Sequence, residues 1–228
     1  LAYVGGDFTY VGPGTGPAGV VSPANGSLIA AFPDTSGSIL TVISDGQGGH
    51  YVGGLFRIGD HGPVNLVHVF PDRTLDNSWT PNPNNTVRTL LLNGDHLFVG
   101  GEFTKIGTIT RNRLARFDRT TGLLTPWNPG AGGVVNVLLS GANRLYVGGQ
   151  FSAVGGQQRS RLAALDPLTG AVSPWNPGAS GPGSGVRALA LAGEVLYVGG
   201  EFTTCGGKPR NRLAALDTTL NVNNATAW

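Results

Sequence analysis

The chain has few charged residues, one cysteine and no methionine, and each of these features limits the class of protein to which it can belong. Only 12% of its 228 residues are Asp, Glu, Lys or Arg, about half the fraction of an average globular protein. The single cysteine excludes an intrachain disulfide. Methionine is absent altogether, so we expect a mature form or a piece of a larger precursor. The low charge favours an extracellular surface over the cytosol.

Basic stripes, long apolar runs and metal-ligand clusters are missing as well. The net charge is +2 and the basic residues are spread along the chain, so we expect no nucleic-acid partner. No apolar run approaches the ~20 residues of a membrane-spanning helix. The four histidines share no spacing, so we expect neither a metal site nor a cofactor. We place them in solvent-facing turns, with His61 and His68 in one divergent unit.

The sequence does contain a clear repeat. Val-Gly-Gly, with Phe two residues further on, occurs five times, and the valines are 48, 47, 48 and 51 residues apart. A fixed period in this range is typical of a solenoid, a propeller or an array that copies one supersecondary unit. The copies are Val4-Gly5-Gly6-Asp7-Phe8, Val52-Gly53-Gly54-Leu55-Phe56, Val99-Gly100-Gly101-Glu102-Phe103, Val147-Gly148-Gly149-Gln150-Phe151 and Val198-Gly199-Gly200-Glu201-Phe202.

The clearest unit reads as four antiparallel strands. It opens with the apolar run from Val87 to Leu92, followed by Asn93-Gly94, a strong hairpin signal. A half-buried alternating segment and the turn Thr120-Thr121-Gly122 come later. Repetition of such units predicts an all-β fold, a β-propeller of about five four-stranded blades, in preference to a β-solenoid. The predicted strands cover residues 87–92, 97–99, 113–118 and 123–127.

We predict a single β-propeller domain over residues 1–228, with repeats of roughly 48 residues and incomplete at both ends. The chain starts on the second strand of a unit and stops on the fourth. Three arrangements are open: five blades that close one strand short, a larger ring with blades outside this chain, or a strand donated by a neighbouring molecule. The last would make the chain self-assemble.

The units resemble a known family. The resemblance rests on Leu-Phe-Val-Gly-Gly-Glu-Phe-Thr at 97–104, Arg-Asn-Arg-Leu-Ala-Arg-Phe-Asp at 111–118, and Thr-Gly-Leu-Leu-Thr-Pro-Trp-Asn-Pro-Gly at 121–130. These segments are similar to the delta-sixty-type repeats of bacterial β-propellers, a domain of unknown function. The resemblance implies a secreted or surface-attached bacterial protein. It implies no catalytic residues, because the family is not known for a shared activity.

The tryptophans that close the units are the predicted ligand contacts. Flat aromatic faces beside amide groups are surfaces on which sugars stack. The alternative is that each tryptophan packs between neighbouring blades, and Phe32 in the equivalent place favours packing. Trp228 closes the last unit. The predicted ligand-binding residues are Trp79, Trp127, Trp175, Asn128 and Asn176.

A recurring pair of arginines allows two interpretations. Arg111-Asn112-Arg113 returns at 159–161 and 210–212, with Glu102, Gln150 or Glu201 one strand earlier. The arginines either form a ring that binds anionic glycans or phosphate, or tie the loops of their own unit through carboxylates or carbonyls. We favour the second. Cys205 falls in the apolar place of Ile106 and Val154, so we predict a packing role for this thiol.

These patterns predict a non-catalytic extracellular or cell-surface scaffold, an adhesion or assembly module that binds other proteins or surfaces through its loops. The alternative is a lectin-like propeller that binds surface glycans at one tryptophan site per blade. A propeller enzyme with a site in the central channel ranks third. Val87 to Leu92 and Val135 to Leu139, which would line that channel, carry almost no ionisable residues.

Overall fold

A computed structural model of the chain describes residues 2–5, 18–21, 24–25, 27–31, 35–59, 62, 64–141, 143–183 and 185–227. Phe8 of the first repeat, Phe32, His61 and Trp228 lie outside the described residues. All regular structure in the described part is β-strand. It accordingly offers no helix of the length and apolar character needed to cross a membrane.

The longer strands form one antiparallel three-stranded sheet in chain order for each repeat unit, and short strands of the fifth unit form a further three-stranded sheet. Tight turns join the strands, as the abundant glycine predicts. The first unit contains β1 (Ala2–Gly5), β2 (Ala18–Val21) and β3 (Leu28–Ala31). The second unit contains β4 (Thr35–Ser44), β5 (His50–Ile58) and β6 (Leu66–Val69).

The later units insert a short hairpin between the second and third strands of the sheet. The third unit contains β7 (Val87–Asn93), β8 (His96–Gly101), the hairpin β9 (Lys105–Ile106) and β10 (Ile109–Thr110), and β11 (Leu114–Asp118). The fourth contains β12 (Val135–Gly141), β13 (Arg144–Gly149), β14 (Ala153–Val154), β15 (Gln157–Gln158) and β16 (Leu162–Leu165). The fifth contains β17 (Ala179–Ser180), β18 (Gly185–Ala192), β19 (Val195–Glu201), β20 (Thr204–Cys205), β21 (Lys208–Pro209) and β22 (Leu213–Asp217).

The predicted fourth strand is shorter than expected. It is reduced to an isolated bridge, for example Phe117 with Leu124 and Leu165 with Val172. One further backbone bond follows, from the N–H of Thr125 to the carbonyl of Arg116 (2.9 Å). The next residue is proline, which has no N–H to donate, so the ladder stops there. The predicted short fourth strand over 123–127 is therefore wrong in extent, whereas β3 holds the corresponding place in the first unit.

The repeated glycine pair is explained by two close approaches. The first glycine faces the next unit: a methyl group added at Gly100 would lie 2.7 Å from Cγ1 of Val135. The second glycine faces its own unit, where a methyl group at Gly101 would strike the carbonyl oxygen of Thr86. Glycine is therefore required for backbone proximity, with no need for a positive φ.

The interfaces among the second, third, fourth and fifth units each have their own hydrophobic core. The first strands of successive units pack side by side, β4 against β7, β7 against β12 and β12 against β18. The core around Trp127 joins Phe98 of the third unit to Val135 and Phe151 of the fourth. The core around Trp175 joins the fourth unit to the fifth in the same way. Trp127 and Trp175 thus lie at the interface between their own unit and the next.

Candidate functional site

The structure separates the three predicted tryptophans by exposure. Trp127 is 4% exposed and Trp175 is fully buried, whereas Trp79 is partly exposed. Each ring meets an aromatic side chain on the second strand of its own unit edge-on: Trp79 meets Tyr51 at 5.4 Å between ring centroids, Trp127 meets Phe98 at 5.3 Å and Trp175 meets Tyr146 at 5.3 Å. All three tryptophans therefore pack against other aromatic side chains, as the alternative in the sequence analysis predicts.

The two predicted asparagines lie beside the buried rings. Asn128 is exposed, and the partly buried Asn176 donates its backbone N–H to the carbonyl of Asn221 (2.7 Å). Stacking of a sugar on a tryptophan needs an open ring face, and Trp79 is the member of the predicted set that retains accessible surface. The region around Trp79 is accordingly the place to look for a site.

A histidine held between two carboxylates lies next to Trp79, and sequence reasoning missed it. His68 stands on β6 with its ring stacked at 4.7 Å from Tyr51. Its Nε2 lies 3.1 Å from Oδ2 of Asp45, and its Nδ1 lies 3.2 Å from Oδ2 of Asp76. Each ring nitrogen of His68 thus faces a carboxylate oxygen within hydrogen-bond distance.

Further hydrogen bonds fix both carboxylates in place. The backbone N–H groups of Gln47 and Gly49 donate to Oδ1 of Asp45 at 2.7 and 2.9 Å. Burial alone raises the pKa of Asp45, but these donors and His68 outweigh burial and hold the pKa below its ordinary value. The pKa of Asp76 is lowered in the same way, with burial opposed by the Ser78 hydroxyl and by His68. Both groups are therefore carboxylates near neutral pH.

The prediction that the histidines occupy solvent-facing turns is wrong for two of them. His50 is 8% exposed and lies on β5, where burial lowers the pKa of its ring. The His68 side chain is 12% exposed. Pairing with Tyr51 places His68 on the face that contacts the third unit, whereas His50 pairs with Val69 and lies on the opposite face of the sheet. The sequence did contain a signal: in the register of the sheets, His68 replaces Arg116 and Ala164 of the next two units.

The histidine cluster forms part of a cleft between the second and third units. The opposite wall is the turn after β11, where Nη1 of Arg119 donates to the carbonyl of Asp45 (3.0 Å). Nε1 of Trp79 donates to the carbonyl of Gly122 in the same turn (2.9 Å). The cleft has a volume of about 390 Å³, within the size range of small-molecule sites.

At each of the next two interfaces, an arginine of the earlier unit reaches the turn after the third strand of the later unit. Nη1 of Arg116 reaches from the third unit to the carbonyls of Pro167 and Leu168 at 2.7 and 3.0 Å. Nη1 of Arg144 likewise reaches from the fourth unit to the carbonyl of Thr218 (2.6 Å). The second unit has the shorter His68 at the place of Arg116. The edge between the second and third units is bridged from the opposite side, by Arg119 of the third unit, and the cleft lies beside His68.

The recurring arginines behave as loop ties. Nη2 of Arg111, Arg159 and Arg210 donates to a backbone carbonyl after the third strand of the same unit, at 2.8, 2.7 and 2.6 Å. The favoured prediction is confirmed for the first arginine of each pair, whereas Arg161 of the fourth unit donates to the Glu201 carbonyl of the fifth (3.3 Å). The expected carboxylate partners pair elsewhere: Glu102 with Arg88 and Glu201 with Arg187. Each of these pairing arginines occupies a bulge in the first strand, which brings its side chain opposite the acid.

Cys205 has the predicted packing role. It is 1% exposed in the core between the fourth and fifth units. Burial raises the pKa of its thiol to about 12. A thiol with this pKa is an inert hydrophobic side chain at neutral pH.

The chemistry available in the cleft is recognition by carboxylates, hydroxyls, a guanidinium and aromatic rings. Both ring nitrogens of His68 contact carboxylates, so neither is available to a substrate as a general base. In the described part of the chain, no group of three or more His, Cys, Asp or Glu side chains is arranged to hold a metal ion.

Comparisons with known proteins agree with the repeat architecture. A family model described as a domain of unknown function (DUF5122) beta-propeller matches residues 95–120 and 143–171, which lie in the third and fourth units. A search of curated protein sequences finds no match. Among solved structures, the Neurospora crassa Pan2 WD40 domain is similar at 12% identity with a TM-score of 0.56. The alignment covers 92% of this chain and 58% of the Pan2 chain.

A second solved structure is that of the computationally designed Ika4 protein, at 14% identity with a TM-score of 0.47 and coverage of 84% of this chain and 95% of the other. The family model and the Pan2 likeness show that the chain is built of β-propeller repeats, an all-β fold. Propellers generally serve as binding platforms and scaffolds, because their loops form broad faces on a rigid frame.

Proposed function

We propose that the chain is a non-catalytic scaffold of a bacterial cell surface or secreted protein, and that it binds other proteins or surfaces as an adhesion or assembly module. One observation carries the proposal. The repeated polar groups are used within the fold, as in the bond from Arg111 to the Thr125 carbonyl, whereas the second unit departs from the repeat beside a cleft that it shares with the third. Binding chemistry is thus added to a rigid frame.

The proposal includes a ring of about five blades. The Val4-Gly5 repeat lies on β1, and the later copies lie on the second strand of their units. Self-association through the first unit is part of the same proposal, because a strand supplied by another molecule extends a sheet edge with main-chain hydrogen bonds. Mass photometry of the purified chain over a range of concentrations tests it, and a monomer at every concentration contradicts self-assembly.

Retention on intact cells tests the scaffold function. The labelled chain is incubated with cells of the source organism, and retention is measured by flow cytometry before and after mild protease treatment of the cells. We expect retention that falls when surface proteins are removed. Retention no greater than that of an unrelated propeller of similar charge contradicts the proposal.

The second candidate is a lectin-like propeller with tryptophan sites, the cleft beside Trp79 being the observation that favours it. The burial of Trp127 and Trp175 supports one site over a site in every blade. A channel enzyme is supported least. The arginines on first strands β7 and β18, Arg88 and Arg187, are ion-paired with Glu102 and Glu201.

A further inference from the structure

The cleft between the second and third units presents hydrogen-bond acceptors that are fixed but not saturated. A carboxylate accepts about four hydrogen bonds. Among the described residues, Asp45 accepts from the N–H groups of Gln47 and Gly49 and contacts Nε2 of His68. Asp76 likewise accepts two bonds from Ser78 and contacts Nδ1 of His68. Each therefore has room for one hydroxyl donor from a ligand, and neither has to reorganise to accept it.

A third carboxylate lies on the opposite wall of the cleft. Oδ1 of Asp118 accepts the backbone N–H and the hydroxyl of Thr121 at 2.8 and 2.9 Å, which fixes the turn. These bonds hold the pKa of Asp118 below its ordinary value. The neighbouring Arg119 guanidinium supplies N–H donors on the same wall. Acceptors and donors thus face each other across the space.

Aromatic side chains form the floor of the same space. Trp79 lies edge-on between Tyr51 and Phe117, at 5.4 Å from each ring. All three rings line the cleft, and Trp79 is the partly exposed one. A saccharide ring presents C–H groups on one face and hydroxyls around its rim. An aromatic floor with charged acceptors and donors on the walls complements that distribution.

The charge balance selects among saccharides. Asp45, Asp76 and Asp118 contribute three negative charges, and the guanidinium of Arg119 contributes one positive charge. A ligand carboxylate placed here would face three like charges, so acidic sugars are disfavoured. We propose that the cleft between the second and third units is a single binding site for neutral saccharides. This inference rests on the second candidate function and specifies its site and ligand class.

The test is binding to a printed array of neutral saccharides and of saccharides with uronic or sialic acid. The comparison is between wild type and a Gln47→Trp variant. Gln47 is an exposed residue of the β4–β5 turn that lines the cleft, so a bulky ring there fills the cleft without entering a core. Glu194→Trp is the matched control, because Glu194 is exposed in the corresponding turn of the fifth unit.

We expect wild type and Glu194→Trp to bind the same neutral saccharides, and Gln47→Trp to bind them at least about tenfold more weakly. Circular dichroism and the melting temperature confirm that each variant is folded. Absence of saccharide binding by the wild type overturns the proposal, as does binding that Gln47→Trp leaves unchanged. Either result leaves the scaffold function intact, because retention on cells is measured separately.

A second pair of variants tests the charge argument. Asp118→Asn keeps the oxygen that accepts from Thr121 and removes one negative charge from the cleft. Asp217→Asn makes the same change in the fifth unit, where Oδ1 of Asp217 accepts from Thr219 in an equivalent turn. We expect Asp118→Asn to gain binding to acidic saccharides relative to both wild type and Asp217→Asn. Stronger wild-type binding to acidic than to neutral saccharides overturns the proposal.

Discussion

The interface between the second and third units and the interface between the third and fourth share one frame but differ at their edge. At both, a tryptophan packs edge-on against a second-strand aromatic ring, and a glycine lies against the first valine of the next unit. At the edge, Arg116 of the third unit reaches across to the fourth unit, whereas His68 contacts carboxylates of its own unit, the second. The tryptophan and glycine contacts are thus the same at both interfaces, and the polar residues at the edge differ without changing that packing.

A second exchange accompanies that of arginine for histidine. Nε of Arg116 donates to the hydroxyl of Thr125 (3.1 Å), and Asp76 stands at the corresponding place in the second unit. A carboxylate suits His68 there, because it accepts a hydrogen bond from the ring. The two exchanges are therefore complementary, and the bridge at this edge comes instead from the third unit, through the bond from Arg119 to the Asp45 carbonyl.

The largest expected difference between the two interfaces lies in their tryptophans. Trp127→Ala removes a buried ring and is expected to lower the free energy of unfolding by about 3–5 kcal/mol. Trp79→Ala is expected to cost less, because part of that ring is already in water. Urea denaturation followed by circular dichroism measures both. Equal losses would show that the cleft leaves Trp79 as tightly packed as Trp127.

The glycines should respond alike at the two interfaces. A methyl group at Gly53 would lie 2.6 Å from Val87 Cγ1, as one at Gly100 would from Val135 at 2.7 Å. We expect both Gly→Ala variants to lose about 2–3 kcal/mol through overpacking. Gly199→Ala is the control, since its nearest contact there is Ala188 at 3.6 Å. A loss at Gly199 as large as at Gly100 would refute the interface explanation.

A smaller effect is expected from His50, whose place is taken by Leu97 and Leu145 in the next two units. Burial lowers its pKa from the ordinary value of 6.5. The unfolded chain then binds a proton that the folded chain does not, so stability falls as the pH drops below about 6.5. We expect His50→Leu to lose this dependence when denaturation is measured between pH 7 and pH 5.

Asp45 and Asp76 provide the internal reference for that experiment. Their pKa values are lowered from 3.8, so their contribution to stability is present above about pH 3.8 and is lost as the pH falls through the lower folded values. His50→Leu should keep this second decline. If the stability of His50→Leu still falls between pH 7 and pH 5, a group other than His50 causes the decline in that range.

The smallest effect is expected from the ion pair between Arg88 and Glu102, whose side chains are 36% and 29% exposed. Glu102→Gln should lower stability by less than about 1 kcal/mol and remove the salt dependence of that contribution. The fourth unit already has Asn136 and Gln150 in the corresponding places. A larger loss, measured by denaturation at low and high salt, would mean that the pair helps to fix the bulge in β7.

The repeat was predictable because its signals are local. The Asn93-Gly94 hairpin appears as predicted, with β7 and β8 on either side, and the turn at Gly122 has the positive φ that glycine allows. The short hairpins such as β9–β10 escaped notice. Two-residue strands have no periodicity to detect, and they are held by contacts with the neighbouring unit, such as the bridge from Pro83 to Ile106.

The candidate site was harder to predict because its residues are far apart in sequence. Asp45, His68 and Asp76 come from a hairpin turn, a strand and the segment after that strand, and Arg119 comes from the next unit. Their spacing matches no motif. The sequence does show that the second unit differs from the others. That difference points to His68 only when the strand registers show which residues of the units correspond.

The amino-acid sequence by itself determined the repeat, the strands, the glycine pairs and the packing role of Cys205, because hairpin signals and alternating burial act within a few residues. Only the tertiary structure decided which side chains meet across the unit interfaces. Burial of Trp127, exposure of Trp79 and the contacts of His68 with two carboxylates all depend on how adjacent sheets are set against each other. That placement arises from packing between units, which no single unit encodes.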